Sequence, residues 1–293
     1  MSVQLCDVAP RDGLQSLDVT LPPTTRAELA GRLADAGLHR VEVASFVRDD
    51  LVPPMAGAEE VVAALPERAG TTWAGLVLNA RGYDRLAATG LAEAHATFGA
   101  TETFQQRNGG SSMADGMTRA LAVVARAHAD GRRATVTLSC AFGCPYEGEV
   151  DPGVVYDLAR AAATGGADEL ILADTIGVAG PSEVSALVGR CAGELGPTGV
   201  HLHDTRGTAL ACVLAALEAG ATVVDASVGG VGGCPFAPGA QGNVATEDVV
   251  YLLEREGVAT GVDLDVLIEA ARWLATLLDR PLPGRVQKAG RWP

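Results

Sequence analysis

The chain has 293 residues, of which 48% are hydrophobic and only 4% aromatic, so it can bury a large core built from small aliphatic side chains. A formal net charge of −14, with Lys288 as the only lysine, argues against a broad surface for nucleic acid. No apolar run approaches the roughly 20 residues of a membrane span, and the first residues show no signal-peptide pattern. We therefore expect a cytoplasmic protein without nucleic-acid or membrane partners, whose six cysteines are reduced thiols.

Short apolar runs alternate with longer amphipathic segments along the whole chain. The predicted strands are Val3–Val8, Arg40–Ala44, Thr72–Leu78, Glu93–Phe98, Ala134–Cys140, Glu169–Ala173, Val200–Leu202 and Thr222–Val228. The predicted helices include Thr25–Ala36, Gly57–Arg68, Gly116–Ala129, Pro152–Thr164, Ser182–Glu194 and Gly207–Ala219. Eight such units predict an α/β fold, a (β/α)8 TIM barrel. A doubly wound sheet is the alternative, but no Gly-x-Gly-x-x-Gly turn follows the first strand.

The chain is expected to form a single domain, with the barrel over about residues 1–258 and a helical extension over about residues 259–293. Within the extension, Asp263–Leu278 places its apolar residues on one face of a helix. We expect this helix to pack either on the barrel or on the second subunit of a homo-oligomer.

A glycine-rich stretch, residues 229–243, follows the eighth strand. Its glycines and two prolines exclude a helix or an ordinary strand, so it is predicted to be a shaped loop that displays Cys234 and Asn243. The loop precedes a helix that Thr246 is predicted to cap. A small apolar role for the cysteine is the alternative, since most free cysteines only fill space.

Polar residues mark the C-terminal ends of several predicted strands, where a TIM barrel places its chemistry. Arg11, Asp12 and Gln15 follow the first strand, and Asp174 ends the sixth. Glu42 stands near the end of the second strand among valines. Because a buried carboxylate needs a partner, we expect it either to neutralise Arg11 or to join a polar network in the barrel mouth.

The seventh strand carries two histidines, His201 and His203. Residues two apart on a strand point the same way, so both imidazoles are predicted to face one spot, which favours a bound cation over a structural role. Barrel closure brings Asp12 and Asn243 to the same place. A carboxylate, two imidazoles and an amide suit Mg²⁺ or Mn²⁺, and Zn²⁺ remains an alternative.

Several strings of the chain resemble the 3-hydroxy-3-methylglutaryl-CoA lyase family. The strings are Arg11–Gln15, Ser139–Gly148, Asp174–Gly177, His201–Thr205 and Gly232–Asp248. The resemblance spans nearly the whole chain and implies a metal-dependent carbon–carbon lyase on a TIM barrel. It implies Asp12, His201, His203 and Asn243 as ligands of a divalent cation, and Arg11, Glu42, Asp174, His201 and Cys234 as catalytic residues. Gln15 and Ser139, within the matching strings, are expected to bind the acyl-CoA.

The implied reaction is a retro-Claisen cleavage of 3-hydroxy-3-methylglutaryl-CoA to acetyl-CoA and acetoacetate. A cation would lower the pKa of the substrate hydroxyl, and Arg11 would hold charge on the enolate oxygen. Asp174 or His201 would take the hydroxyl proton, and the residues alone do not decide between them. Cys234 would deliver a proton to the enolate carbon.

The chain departs from the family pattern at two places. Asp18 stands where members often have a lysine for the CoA phosphates, and Thr135–Leu138 lacks the tyrosine often found near the acyl pocket. These departures leave alternatives open. One is cleavage of another 3-hydroxy acyl thioester, and a second is a related condensing synthase, although such relatives usually carry a further C-terminal domain. A non-catalytic metal-binding barrel is a third.

Overall fold

The structure is a computed structural model that describes residues 3–233 and 242–292. In these residues, eight parallel strands are hydrogen-bonded in chain order, and β8 pairs with β1 to close the barrel. The predicted TIM barrel is therefore confirmed.

The elements alternate as the sequence predicts. The strands are β1 (Gln4–Asp7), β2 (Arg40–Ser45), β3 (Thr72–Val77), β4 (Glu93–Gly99), β5 (Arg133–Ser139), β6 (Glu169–Asp174), β7 (Thr198–Leu202) and β8 (Val223–Ala226). The α-helices are α1 (Pro23–Asp35), α2 (Ala58–Ala63), α3 (Ala80–Ala87), α4 (Glu102–Gly109), α5 (Met113–Ala129), α6 (Pro152–Thr164), α7 (Pro181–Glu194), α8 (Ala209–Glu218), α9 (Thr246–Arg255), α10 (Leu264–Leu277) and α11 (Val286–Ala289).

Two helix predictions are wrong in detail. Helix α2 ends at Ala63 instead of residue 68, because Pro66 lacks an amide hydrogen and disfavours helical geometry in the residue before it. Thr246 is the first residue of α9 rather than its cap, which is Ala245. Its hydroxyl instead donates to Asp7 Oδ2 at 2.6 Å, across 239 positions of sequence.

The lower end of the barrel interior is filled by charged side chains that pair with one another. Arg40, 1% exposed, donates to both oxygens of Glu169 at 2.6 and 3.2 Å, and Arg133 reaches the same carboxylate at 2.7 Å. Glu93, also 1% exposed, accepts a hydrogen bond from Thr135 at 2.8 Å and lies 3.5 Å from Arg40. We call Arg40, Glu93, Arg133 and Glu169 the basal cluster.

The segment after α9 is attached to the barrel near the end of β8. Helix α10 packs against α1 and α9, so within this chain the predicted C-terminal helix lies on the barrel. The start of α11 is held by Asp248, whose carboxylate accepts the amides of Arg285 and Val286 at 2.7–3.0 Å. The Gly284 amide donates to the Gly229 carbonyl at 2.9 Å, which ties this segment to the turn that leaves β8.

Across the described residues, none of the helices combines the length and the apolar character that crossing a membrane requires.

Candidate active site

A cavity of about 200 Å³ opens at the C-terminal ends of the strands. Residues that follow several strands line it, including Arg11, Asp12, His203 and Gly233. Because it lies over the barrel axis at the end where TIM-barrel enzymes place their chemistry, it is the candidate active site.

A tight helical turn, Ala9–Gly13, presents Arg11 and Asp12 to this cavity. Arg11 donates through Nε to Glu42 Oε2 and through Nη1 to Asp12 Oδ1, the latter at 2.6 Å. Glu42 thus neutralises Arg11, and its contact with His95 Nδ1 at 2.9 Å also joins it to a polar network in the barrel mouth, so both sequence alternatives hold. Burial alone would raise the pKa of the Asp12 carboxyl, but the charges of Arg11 and the two site histidines outweigh it and hold that pKa well below its usual range.

The two histidines of β7 and its continuation meet Asp12 at one point. The Nε2 atoms of His201 and His203 are 3.3 Å apart, and they lie 3.8 and 3.9 Å from Asp12 Oδ2. Burial lowers the pKa of His203 to about 4, helped by the neighbouring His201. Burial opposes the charged form of His201 too, but the hydrogen bond to Asp225 raises its pKa. Two imidazole nitrogens this close, beside a carboxylate, are a suitable arrangement for a cation.

Asn243 completes this group from the far side of the glycine-rich loop. Its backbone is bridged to that of His203, and its Nδ2 donates to Asp12 Oδ2 at 2.9 Å. Its Oδ1 is buried without a hydrogen-bond partner in the described residues. A buried acceptor without a donor is costly, and a cation among these atoms would satisfy it. Glycine is required where the chain returns at residue 242, because a Cβ on Gly242 would lie 2.2 Å from the Gly230 carbonyl oxygen.

Asp174 differs from its predicted place. Its side chain is buried, but it does not line the cavity, and its carboxylate accepts the amides of Val178 and Ala179 at 3.0 and 2.8 Å. Burial raises the pKa of this carboxyl. The contacts make Asp174 a support for the loop after β6 rather than a group that faces a substrate.

Gln15 and Ser139 both line the cavity, on opposite sides of the barrel mouth. Gln15 Oε1 is buried without a partner in the described residues, and Ser139 Oγ is 3.1 Å from Thr97 Oγ1. Cys234 lies outside the described residues, and it follows Gly233, which lines the cavity.

Two cavity residues were missed by sequence reasoning, Asp225 on β8 and His95 on β4. Asp225 Oδ2 is 3.3 Å from His201 Nδ1, where it can orient that ring. Each is a titratable residue with apolar neighbours on both sides in its strand. The same pattern drew attention to Glu42, so it could have identified both.

Comparisons with known proteins agree on one family. Residues 2–274 match the model of the HMGL-like family. The (R)-citramalyl-CoA lyase of Chloroflexus aurantiacus is 42% identical, over 99% of this chain and 95% of that protein. The 3-hydroxy-3-isohexenylglutaryl-CoA/hydroxymethylglutaryl-CoA lyase of Pseudomonas aeruginosa is 40% identical, over 98% of this chain and 96% of that protein.

A solved structure shows the same likeness in three dimensions. An HMG-CoA lyase from Acinetobacter baumannii, in complex with coenzyme A and 3-methylmalate, superposes with a TM-score of 0.95 at 34% identity, covering 99% of this chain and 95% of that one. The chain therefore belongs to the HMGL-like family, the family of HMG-CoA lyase, and is a carbon–carbon lyase.

Proposed function

We propose that this lyase cleaves 3-hydroxy-3-methylglutaryl-CoA into acetyl-CoA and acetoacetate with the help of one divalent cation. The observation that carries the proposal is the convergence of Asp12, His201 and His203 beside Arg11 in one cavity, with the unpartnered Oδ1 of Asn243 on a side chain that contacts Asp12. The relatives named as hydroxymethylglutaryl-CoA lyases support the choice of acyl group.

Asp12, His201, His203 and Asn243 would hold the cation. Carboxylate and amide oxygens with neutral imidazoles suit Mg²⁺ or Mn²⁺, and Zn²⁺ is an alternative because imidazole binds it too. When bound, the cation would polarise the tertiary hydroxyl and lower its pKa.

We assign to His201 the removal of the proton from the substrate hydroxyl. His201 lines the cavity, whereas the carboxylate of Asp174 accepts hydrogen bonds from backbone amides. His201 Nε2 faces the other cation ligands, and on taking the proton there His201 would cease to hold the cation, while Asp225 at Nδ1 stabilises the imidazolium that forms. The cation would then remain with Asp12, His203 and Asn243.

Loss of the hydroxyl proton breaks the bond between C2 and C3 of the acyl group. The hydroxyl-bearing carbon becomes the ketone of acetoacetate, and the bonding electron pair moves into the thioester enolate. Arg11 is placed to stabilise that enolate oxygen, because Nε and Nη1 are held by Glu42 and Asp12 while Nη2 makes no hydrogen bond to the described residues. Cys234 would give its thiol proton to C2, which completes acetyl-CoA.

A second candidate substrate is citramalyl-CoA. The relative at 42% identity is named for it, and the cavity is small and carries hydroxyls on its β4 and β5 side, Thr97, Thr137 and Ser139. The same bond cleavage would then give acetyl-CoA and pyruvate. Coenzyme A as the carrier is supported by the CoA complex of the Acinetobacter relative.

The test is to incubate the purified chain and Mg²⁺ with each thioester and to measure acetoacetate and pyruvate separately. We expect acetoacetate from 3-hydroxy-3-methylglutaryl-CoA, none after chelation by EDTA, and recovery when Mg²⁺ is restored. Asp12→Asn should be inactive, and Asp35→Asn, an exposed acid outside the cavity, should be fully active. Cleavage of neither thioester by the metal-loaded chain would contradict the proposal, and cleavage of citramalyl-CoA alone would favour the second candidate.

A further inference from the structure

His95 is a buried histidine in the middle of the barrel that the proposed reaction does not use. It is 5% exposed and shares the inward face of β4 with Glu93 below it and Thr97 above it, because alternate residues of a strand point the same way. It therefore lies at the inner end of the candidate active site, next to the basal cluster.

Its two ring nitrogens face two carboxylates. Nδ1 is 2.9 Å from Glu42 Oε1, and Nε2 is 3.4 Å from Glu93 Oε1. A neutral imidazole has only one N–H and would turn a lone pair toward one of these carboxylates. The doubly protonated ring turns a proton toward each carboxylate, so this arrangement favours the cationic form, with a hydrogen bond at Nδ1 and an ion-pair contact without a hydrogen bond at Nε2.

The surrounding charges favour the same form. Arg11 lies beyond Glu42, while Arg40 and Arg133 lie beyond Glu93, so each guanidinium is separated from His95 by a carboxylate. Burial alone would lower the pKa of His95, but the hydrogen bonds to Glu42 and Glu93 outweigh it and raise that pKa to about 10.

Each carboxylate oxygen of Glu42 consequently pairs with a different positively charged side chain. Oε2 accepts from Arg11 Nε, and Oε1 faces His95 Nδ1. Each of these side chains is at least nine-tenths buried apart from Arg11, which is 12% exposed. The orientation of Glu42, and with it that of the guanidinium in the cavity, depends on what occupies position 95.

We propose that His95 is a positioning residue for the lyase reaction: as an imidazolium clamped between Glu93 and Glu42, it fixes Glu42 and thereby aims Arg11 at the enolate oxygen. This inference rests on the proposed function for its kinetic consequence, but not for the charge of the ring. A misplacement of about 1 Å at a reacting centre can cost about 10²-fold in rate.

Two substitutions separate this role from simple space filling. The Asn amide nitrogen takes the place of Nδ1, toward Glu42, whereas the Gln amide nitrogen takes the place of Nε2, toward Glu93. We expect His95→Asn to retain kcat within about threefold and His95→Gln to lose about 30-fold, with KM changed little in either, since only the aim of Arg11 is disturbed.

His128→Gln is the matched control, because His128 also pairs with a carboxylate, Asp168 at 2.9 Å, but on the surface of α5. It should behave as the unmodified enzyme. Equal losses in His95→Asn and His95→Gln, or no loss in either, would overturn the positioning role. Absence of cleavage by the unmodified enzyme would instead count against the proposed function.

The charge of the ring is tested on the unmodified protein, independently of activity or of the folding of a variant. Long-range ¹H–¹⁵N spectra at pH 8 should show both nitrogens of His95 protonated, with the signal identified by its loss in His95→Asn. An ordinary histidine, with a pKa near 6.5, is neutral at that pH. A neutral tautomer for His95 would refute the clamp.

Discussion

Both ends of the barrel interior bury polar and charged side chains, but the two ends differ in how these groups are partnered. In the basal cluster the carboxylates of Glu93 and Glu169 and the guanidinium of Arg40 face one another, so each group has a partner of opposite charge, although the Nε atoms of Arg40 and Arg133 make no hydrogen bond to the described residues. At the mouth, Asn243 Oδ1 and Gln15 Oε1 are buried without partners in the described residues, and two imidazole nitrogens meet at 3.3 Å.

This difference separates structure from function. Buried side chains whose charges are matched within one cluster need no further ion, although removing one member is destabilising. Buried polar atoms that face a cavity without partners are retained at a cost and mark the place where a cation or a substrate binds. Changes at the mouth should therefore reduce turnover, and changes at the base should reduce stability.

The largest effects are expected from substitution of the two mouth histidines, His201 and His203, and the two variants should differ in cation binding. His203→Ala should lose cation binding and about 10³-fold in kcat, because the cation contributes several kcal/mol to the transition state. His201→Ala should lose kcat by a similar factor because the proton acceptor is gone, yet keep weaker cation binding through the three remaining ligands. Mn²⁺ binding measured by electron paramagnetic resonance, together with kcat, distinguishes them. Retained Mn²⁺ binding in His203→Ala would contradict the ligand assignment.

Cys234→Ala should lower kcat by about 10²- to 10³-fold while leaving cation binding unchanged, because a proton donor is removed and no ligand is touched. Cys212→Ala is the matched control, since Cys212 is buried on α8 and its thiol donates to the Ala179 carbonyl. Steady-state kinetics and Mn²⁺ titration of both variants provide the measurement. Full activity in Cys234→Ala would remove the thiol from the mechanism.

At the base, Glu169→Gln should cost about 3 kcal/mol of unfolding free energy, because it leaves the buried Arg40 without its main charge partner. The kcat of the folded enzyme should stay within about twofold, because Glu169 contacts residues of the basal cluster and not residues of the mouth. Urea unfolding and a kinetic assay measure the two effects. Asp35→Asn, in an exposed pair with Arg68, should cost less than about 1 kcal/mol. A large loss of kcat in Glu169→Gln would abolish the distinction between the two ends.

The smallest effect is expected from Asp7 and Glu247, two buried acids that belong neither to the basal cluster nor to the mouth. Burial raises the pKa of Asp7 to about 7 and that of Glu247 to about 8, despite hydrogen bonds that lower both. The unfolded chain releases these protons at lower pH than the folded one, so stability should fall as pH rises from about 4 to about 8. Glu247→Gln should remove on the order of 2 kcal/mol of this decline, measured by urea unfolding at pH 5 and pH 8. An unchanged decline would show that Glu247 is ionised in the fold.

Much of the barrel could be predicted because its strands are short apolar runs, whose burial is a local property of the sequence. The convergence of His201 and His203 followed from strand alternation, and that of Asp12 and Asn243 from barrel closure. These predictions used only the alternation of side chains along a strand and the order of strands in a closed barrel, and both can be inferred from the sequence.

The remaining features depend on distant partners. Whether Asp174 faces the cavity or its own loop is decided by the path of the chain after β6, and the partner of Thr246 is Asp7, far away in sequence. His95 likewise acquires its charge only from Glu42 and Glu93 on either side. A local pattern could have flagged these residues but could not have assigned their contacts.

Asp12, His201, His203 and Asn243 are proposed to hold one divalent cation at the barrel mouth. The stoichiometry of Mn²⁺ bound to the unmodified chain, to Asn243→Ala and to Glu169→Gln checks this site. We expect one ion per unmodified chain, strongly weakened binding in Asn243→Ala and unchanged binding in Glu169→Gln. If the unmodified chain bound no ion, or if Asn243→Ala bound it equally well, the proposed ligand set would be wrong.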